Sequence, residues 1–311
     1  MLPEVEYRYF LDDLIDEKAP LMQFVEQLRH DAPEHISKIL VYSTYWDKKE
    51  WGWWYKRRRR FHDDKLRFWL NQRRKIQPKV QASHDTIRVF YTAENCYVDM
   101  KYAEYAFGFQ TRDEVDYDPH YFQLPYYAYY GDLEGLTADD RQDYLAQLPE
   151  KTQFCDFVYN HHVDEREALY DLINSYQKVT APSRSRNNAP PIGEGLSTSE
   201  SRNVINWRQL RIDYGKQFKF SIACENEQYP GYITEKIVSA FKAGSIPIYR
   251  GAPDIAEHFN PKAFINANEL SNDALLAKIK QLNTDEHMYQ KMLNEPPITQ
   301  ESSTMLFQKL L

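Results

Sequence analysis

Phe218-Lys219-Phe220-Ser221-Ile222-Ala223-Cys224-Glu225-Asn226-Glu227-Gln228-Tyr229-Pro230-Gly231-Tyr232-Ile233-Thr234-Glu235-Lys236-Ile237-Val238-Ser239-Ala240-Phe241-Lys242-Ala243-Gly244-Ser245-Ile246-Pro247-Ile248-Tyr249-Arg250-Gly251 is the stretch on which the fold turns. Phe218 to Cys224 is an apolar run of strand length that ends in polar residues. A short loop with Pro230 and Gly231 follows. A helix is expected to open near Thr234 and to stop at Gly244, and a second apolar strand, Ile246 to Tyr249, ends at Gly251. The whole is a β-loop-α-β unit, and such units bind ligands at the carboxyl ends of their strands. Glu225, Asn226, Tyr232, Glu235 and Lys236 collect at that edge. Lys236 falls in the first helical turn, where free N–H groups and the helix dipole already favour an anion. A cation there calls for a phosphate or carboxylate beside it, so the segment reads as a phosphate-handling edge.

Working outward, Cys224-Glu225-Asn226, Tyr232-Ile233-Thr234-Glu235-Lys236 and Ala243-Gly244-Ser245-Ile246-Pro247-Ile248-Tyr249-Arg250-Gly251 together resemble the donor-binding motif of the α-1,3/4-fucosyltransferases, glycosyltransferase family 10, bacterial type. The likeness continues through Phe259 to Asn266 and covers roughly residues 85–290. The resemblance implies a GT-B architecture of two Rossmann-like α/β domains facing a central cleft. It implies an inverting transfer of L-fucose from GDP-β-L-fucose to a glycan hydroxyl, the 3-position of GlcNAc or glucose being favoured. Two alternatives stay open: a transferase of the same fold using another nucleotide sugar, and a non-catalytic glycan-binding protein.

The bulk properties suggest two domains. A chain of 311 residues exceeds what one core usually organises. A formal charge of −7 argues against a general nucleic-acid binder. Cys96, Cys155 and Cys224 are odd in number and widely spaced, so they suggest neither zinc nor a disulfide framework. No basic and apolar leader opens the chain, and no run reaches the roughly 18 apolar residues of a membrane span. Animal members of the family carry an N-terminal anchor; here a cytoplasmic enzyme is expected, peripheral on the inner membrane.

Alternating strand-like and helix-like runs argue for α/β layers. Strands are expected at Ile36–Tyr42, Ile87–Tyr91, Tyr105–Phe109 and Phe154–Tyr159, and helices at Ala138–Leu148, Asp164–Tyr176, Ala274–Leu282 and Ser302–Leu311. Residues 1–36 read as polar and helix-prone, with an amphipathic piece at Leu21–Leu28. Residues 181–203 read as a long polar loop, a feature that is functional or disordered in most compact domains. The domain boundary is set near residue 152: 1–152 on the acceptor side and 153–300 binding the GDP-sugar. The resemblance implies that a final helix, 301–311, packs back on the first domain.

Transfer with inversion needs a base for the attacking hydroxyl and charge to steady the departing diphosphate. Phe90-Tyr91-Thr92-Ala93-Glu94-Asn95 resembles the family's Phe-Tyr-Thr-Gly-Glu-Asn, whose Glu is the proposed base; Glu94 is therefore the candidate catalytic residue, against a plain reading as a solvated or capping acid. Arg186, in an Arg-Asn pair that the family uses on donor phosphate, and Lys236 are the candidate phosphate ligands, with Arg184 a neighbouring alternative. Glu235 and Tyr232 are assigned to ribose or fucose hydroxyls, and Glu225 and Asn226 to the donor or to the loop beneath it. No cofactor is required on this reading and no metal site is assigned, GDP-fucose being a co-substrate; stimulation by manganese or magnesium is compatible with it. Asp116-Tyr117-Asp118 has the form of the DxD metal-diphosphate motif of another transferase class, but the residues before it are too polar for a strand, and His161-His162 lacks a third ligand at metal spacing.

The segment 46–75 is the unusual one. Five of six tryptophans lie in it, Trp46, Trp51, Trp53, Trp54 and Trp69, with twelve basic residues between Lys48 and Lys75 against three acidic ones. Aromatic faces stack on sugars and basic residues attract anionic surfaces, so this stretch is assigned to a lipopolysaccharide-type acceptor or to an anionic membrane surface. The competing reading is an exposed charged helix with its aromatics turned inward.

Overall fold

The structure, a computed structural model, describes residues 2–8, 19–43, 75–129, 132–192 and 207–299. The chain divides into two compact units, Met1–Gly131 and Asp132–Lys309. The division precedes residue 152 for a physical reason. Helix 141–146 packs against later segments of the second unit: the buried Arg141 guanidinium donates to the Phe241 and Leu293 carbonyls, and Tyr144 Oη to the Lys242 carbonyl.

In the first unit β1 (Glu4–Arg8), β2 (Lys38–Ser43), β4 (Thr86–Tyr91), β6 (Tyr105–Gly108) and β7 (Tyr121–Gln123) form one parallel sheet in that order. β3 (Lys75–Ile76) and β5 (Cys96–Tyr97) pair separately. β2 is buried on both faces, which is why its sequence is continuously apolar rather than alternating. Ile39 and Val41 join Val89, Tyr91 and the face of α1 (Pro20–Asp31) that carries Leu21, Met22 and Val25. Leu40 and Tyr42 point the other way, to Phe90, Cys96, Val98 and Ala106. The polar run expected to be helical contains β1. That strand lies at the sheet edge, so its side chains stay partly exposed and Glu6 pairs with Lys38 and Arg8.

The second unit carries β8 (Gln153–Asp156), β9 (Val179–Thr180), β10 (Phe218–Cys224), β11 (Ile246–Arg250) and β12 (Ile265–Asn266), all parallel, in the order β9-β8-β10-β11-β12. Its helices are α2 (Arg141–Ala146), α3 (Asp164–Asn174), α4 (Trp207–Gly215), α5 (Glu235–Lys242), α6 (Ile255–His258), α7 (Asn272–Thr284) and α8 (Glu286–Leu293). α5 is buried from Lys236 to Lys242 and ends at Gly244, whose φ of 66° is the left-handed C-terminal stop that glycine supplies. Lys151 Nζ closes two helix ends at once, donating to the Lys216 and Ala243 carbonyls at 2.7 and 2.5 Å. Burial lowers its ammonium to about 8. The expected helix 302–311 lies outside the described residues.

Candidate active site

In the second sheet β9 adds outside β8, whereas β10, β11 and β12 add on the opposite side. The strand order therefore reverses between β8 and β10. In open parallel sheets ligands enter at such a reversal, beyond the carboxyl ends of the strands. Those ends are Asp156 and Cys224, and the residues just beyond them build the site.

Glu225 continues β10 by one bond, its N–H donating to the Arg250 carbonyl at 2.8 Å. Its side chain is fully buried. Oε1 accepts the Thr234 N–H at 2.8 Å; Oε2 accepts the Thr234 hydroxyl at 2.8 Å and Lys236 Nζ at 3.0 Å. Lys236 Nζ also donates to Thr234 Oγ1 at 2.7 Å. An ammonium has three hydrogens. Two are used here, leaving the third for another acceptor. The anion that a cation in this helical turn demands is thus a carboxylate of the protein. Burial works to lower the Lys236 ammonium, but the charges of Glu225 and Glu235 outweigh it and raise it. Glu235 is half-buried; burial pushes its carboxyl up, while Lys236 and Arg211 bring it below the ordinary range. Thr234 sits at the N-cap of α5 with no side-chain cap bond, because its hydroxyl faces Glu225 instead.

Tyr159, just beyond β8, connects the two strand ends. Its hydroxyl donates to the Ile222 carbonyl at 2.8 Å and accepts the Cys224 N–H at 2.7 Å. The Arg166 guanidinium lies 4.0 Å from the Tyr159 ring centre and the Arg211 guanidinium 5.5 Å. Arg166 Nη2 donates to Asn226 Oδ1 at 2.6 Å and to the Cys224 carbonyl at 3.3 Å, so the Asn226 side chain is engaged with the protein. Asp156, at the end of β8, is buried, which raises its carboxyl despite Ser221 and Arg211. Tyr232 is buried at 3% exposure. Arg186, with φ 55°, ion-pairs with Glu167 and Asp171 of α3.

Lys236, Glu235, Glu225, Asn226 and Tyr232 all follow the carboxyl end of β10, up to the first turn of α5. Tyr159, Arg166 and Arg211 are the residues sequence reasoning missed. Arg166 and Arg211 look like solvated helix charges, and only the packing of both against one buried ring exposes them. Glu94, in the first unit, follows the carboxyl end of β4; Thr92 Oγ1 accepts its N–H at 3.1 Å and holds the turn. Asp116 and Tyr117 lie at a tight turn, both with positive φ, and Tyr117 is 68% exposed. His162 pairs with Asp164 and Glu167. Among the described residues no group of three His, Cys, Asp or Glu side chains could hold a metal ion, and no helix is long and apolar enough to cross a membrane. Trp46, Trp51, Trp53 and Trp54 lie outside the described residues.

The family model for the C-terminal part of glycosyltransferase family 10 (fucosyltransferase) matches residues 148–294. An alpha-(1,3)-fucosyltransferase of Helicobacter pylori is 31% identical over 267 residues, covering 75% of this chain and 52% of that protein. A putative fucosyltransferase of Acanthamoeba polyphaga mimivirus is 34% identical over 147 residues, 47% of this chain and 24% of its own. The chain spans about half the length of the first relative and about a quarter of the second. A crystal structure of an alpha1,3-fucosyltransferase with GDP-fucose superposes with a TM-score of 0.57 at 26% identity over 88% of this chain and 89% of that one. A second, with GDP, gives 0.62 at 23% identity over 99% and 90%, a likeness of fold. The matched stretch contains β8 to β12 and the whole Glu225–Lys236 edge, so the second unit is the part of this chain that is similar to glycosyltransferase family 10.

Proposed function

We propose that the protein transfers L-fucose from GDP-β-L-fucose to a glycan hydroxyl with inversion at the anomeric carbon. The observation that carries this reading is Lys236: a buried ammonium at the sheet's reversal point, fixed by Glu225 and Thr234, with one hydrogen left for an acceptor. The relative crystallised with GDP-fucose supports the choice of donor. In the reaction an acceptor oxygen bonds to the fucose anomeric carbon as the bond from that carbon to the β-phosphate oxygen breaks. Glu94 takes the acceptor's proton, a contribution of roughly 10²–10⁴-fold for a placed base. GDP leaves with the electron pair, and Lys236 and Arg186 neutralise the charge that develops on it. Glu235 and Tyr232 shape the sugar and ribose side, Glu235 accepting from hydroxyls in its ionised form. On this reading the first unit serves the acceptor and the second the donor.

The acceptor is proposed to be O3 of a GlcNAc or glucose unit in a bacterial surface glycan such as lipopolysaccharide O-antigen, reached from the cytoplasmic face of the inner membrane. The basic, tryptophan-rich composition of 46–75 supports an anionic acceptor or surface.

The test is a turnover screen of GDP-fucose against a panel of nucleotide sugars and acceptors, with GDP titrations alongside. Wild type should turn over GDP-fucose; Lys236→Ala should lose GDP affinity; Glu94→Ala should lose turnover and keep GDP affinity within a few-fold. Turnover of another nucleotide sugar alone would replace the fucose while keeping the phosphate edge. GDP binding without any turnover would favour the glycan-binding alternative.

A further inference from the structure

Loop 181–188 is closed by its own ends. Asn188 N–H donates to the Ala181 carbonyl at 2.9 Å, and Ala181 N–H to Asn188 Oδ1 at 2.8 Å. Asn188 Nδ2 donates to the Val179 carbonyl and to the Tyr170 hydroxyl, both at 2.9 Å. Ser185 N–H donates to the Tyr159 carbonyl at 3.0 Å, which fastens the loop to the segment leaving β8. Arg186 comes next in a left-handed conformation, one that side chains other than glycine adopt only where the surroundings impose it.

Two carboxylates four residues apart on α3 receive its guanidinium, and that spacing puts both on one helix face. Arg186 Nε lies 3.3 Å from Glu167 Oε2, and Nη2 lies 2.5 Å from Asp171 Oδ2. The two carboxylates differ in kind. The Glu167 side chain is 12% exposed and fixed from two further sides, by Ser185 Oγ at 2.6 Å and His162 Nδ1 at 2.8 Å. The Asp171 side chain is 54% exposed and has no second partner among the described residues. The Ser185 hydroxyl holds Glu167 below the ordinary glutamate range against the effect of burial, with His162 and Arg186 adding to the shift. Glu167 is therefore a fixed anion, and Asp171 an exchangeable one.

Guanidinium binds phosphate through two parallel N–H groups. With Nε held by Glu167, a phosphate that approaches Nη2 from the side Asp171 now occupies meets that carboxylate already there, and the two anions compete for the nitrogen. We propose that Glu167 positions Arg186 for the donor diphosphate and that Asp171 occupies the guanidinium until the diphosphate displaces it. This rests on Arg186 being a diphosphate ligand, as proposed above.

Calorimetric titration of the full chain with GDP tests it. Asp171→Asn removes the competitor and should tighten GDP roughly two- to fivefold, the range of an exposed ion pair. In an Arg186→Ala background the same substitution should change nothing. Glu167→Gln should weaken GDP and raise the donor KM in the wild-type background and change neither in the Arg186→Ala background, a dependence that loss of fold would not give. Unchanged or weaker binding by Asp171→Asn, or tightening that persists without Arg186, overturns the displacement. Tighter or unaltered binding by Glu167→Gln overturns the positioning role. If wild type binds GDP and Lys236→Ala does not, such failures remove this inference alone; if wild type binds no GDP, the donor reading falls with it.

Discussion

At the scale of single residues, glycine shows how one residue type serves different physical ends in one motif. Gly244 takes φ 66°, which ends α5. Gly251 is required by contact instead: a methyl group there would stand 2.5 Å from Glu225 Cγ and 2.6 Å from Tyr249 Oη. The Glu225 side chain can reach Thr234 and Lys236 only because nothing projects from Gly251. Gly251→Ala should therefore displace Glu225, destabilise the protein by about 1–3 kcal/mol as overpacking does, and weaken GDP binding by loosening Lys236. Urea unfolding and a GDP titration check both effects. Lost stability with intact GDP affinity would show that Lys236 does not depend on the Glu225 anchor.

Elements behave the same way: what positions the loop between β10 and α5 lies outside it. Both carboxylate oxygens of Asp254, just before α6, accept the Gly231 N–H, at 2.8 and 2.9 Å. Burial pushes the Asp254 carboxyl up, but His258 and the Gly231 N–H outweigh it and the net shift is downward. A carboxyl lowered in the folded state stabilises fully above its unfolded value, and that contribution disappears as pH falls through the folded one. Asp254→Ala should make the Gly231 and Tyr232 amides exchange faster with solvent at neutral pH, and its deficit against wild type should shrink in acid. Hydrogen exchange and acid-unfolding curves check this; equal Gly231 exchange in both proteins would mean that Asp254 does not pin the loop. The elements easiest to read from sequence are those buried on both faces. β2, β10 and β11 are apolar runs of that kind, with bounds within a few residues of those expected, and β4 is legible from its buried Val89–Tyr91 end. β1 reads as helix-prone because an edge strand keeps polar side chains. At the site, residue identity is legible because polar residues directly succeed an apolar strand. Partnership is not: Glu225 meets Lys236, and Arg186 meets Asp171, only after the chain has turned.

For the whole molecule, two parallel sheets with separate cores obey different rules of order. In the first, the described strands run β1-β2-β4-β6-β7 without reversal, whereas the second reverses beside β8. Sequence pattern shows the α/β class of both but not the order, since any buried parallel strand looks alike whichever neighbour it takes. The reversal confines the proposed nucleotide edge to the second unit, and that has a thermodynamic consequence. Arg141, whose guanidinium is lowered by burial to about 10, supplies donors to the Gly135, Phe241 and Leu293 carbonyls, all in that unit. Arg141→Ala leaves those buried acceptors without it and should cost about 3 kcal/mol or more in the unfolding of the second unit. GDP at about one hundred times its Kd should stabilise the same transition by about 2.7 kcal/mol. Trp207 is the only tryptophan in the second unit, so its fluorescence, taken as the difference between wild type and Trp207→Phe, tracks that transition separately. The substitution should lower the Trp207 transition and GDP should raise it; a GDP effect confined to the signal of the other five tryptophans would place the nucleotide on the first unit and remove the second sheet's reversal from the mechanism.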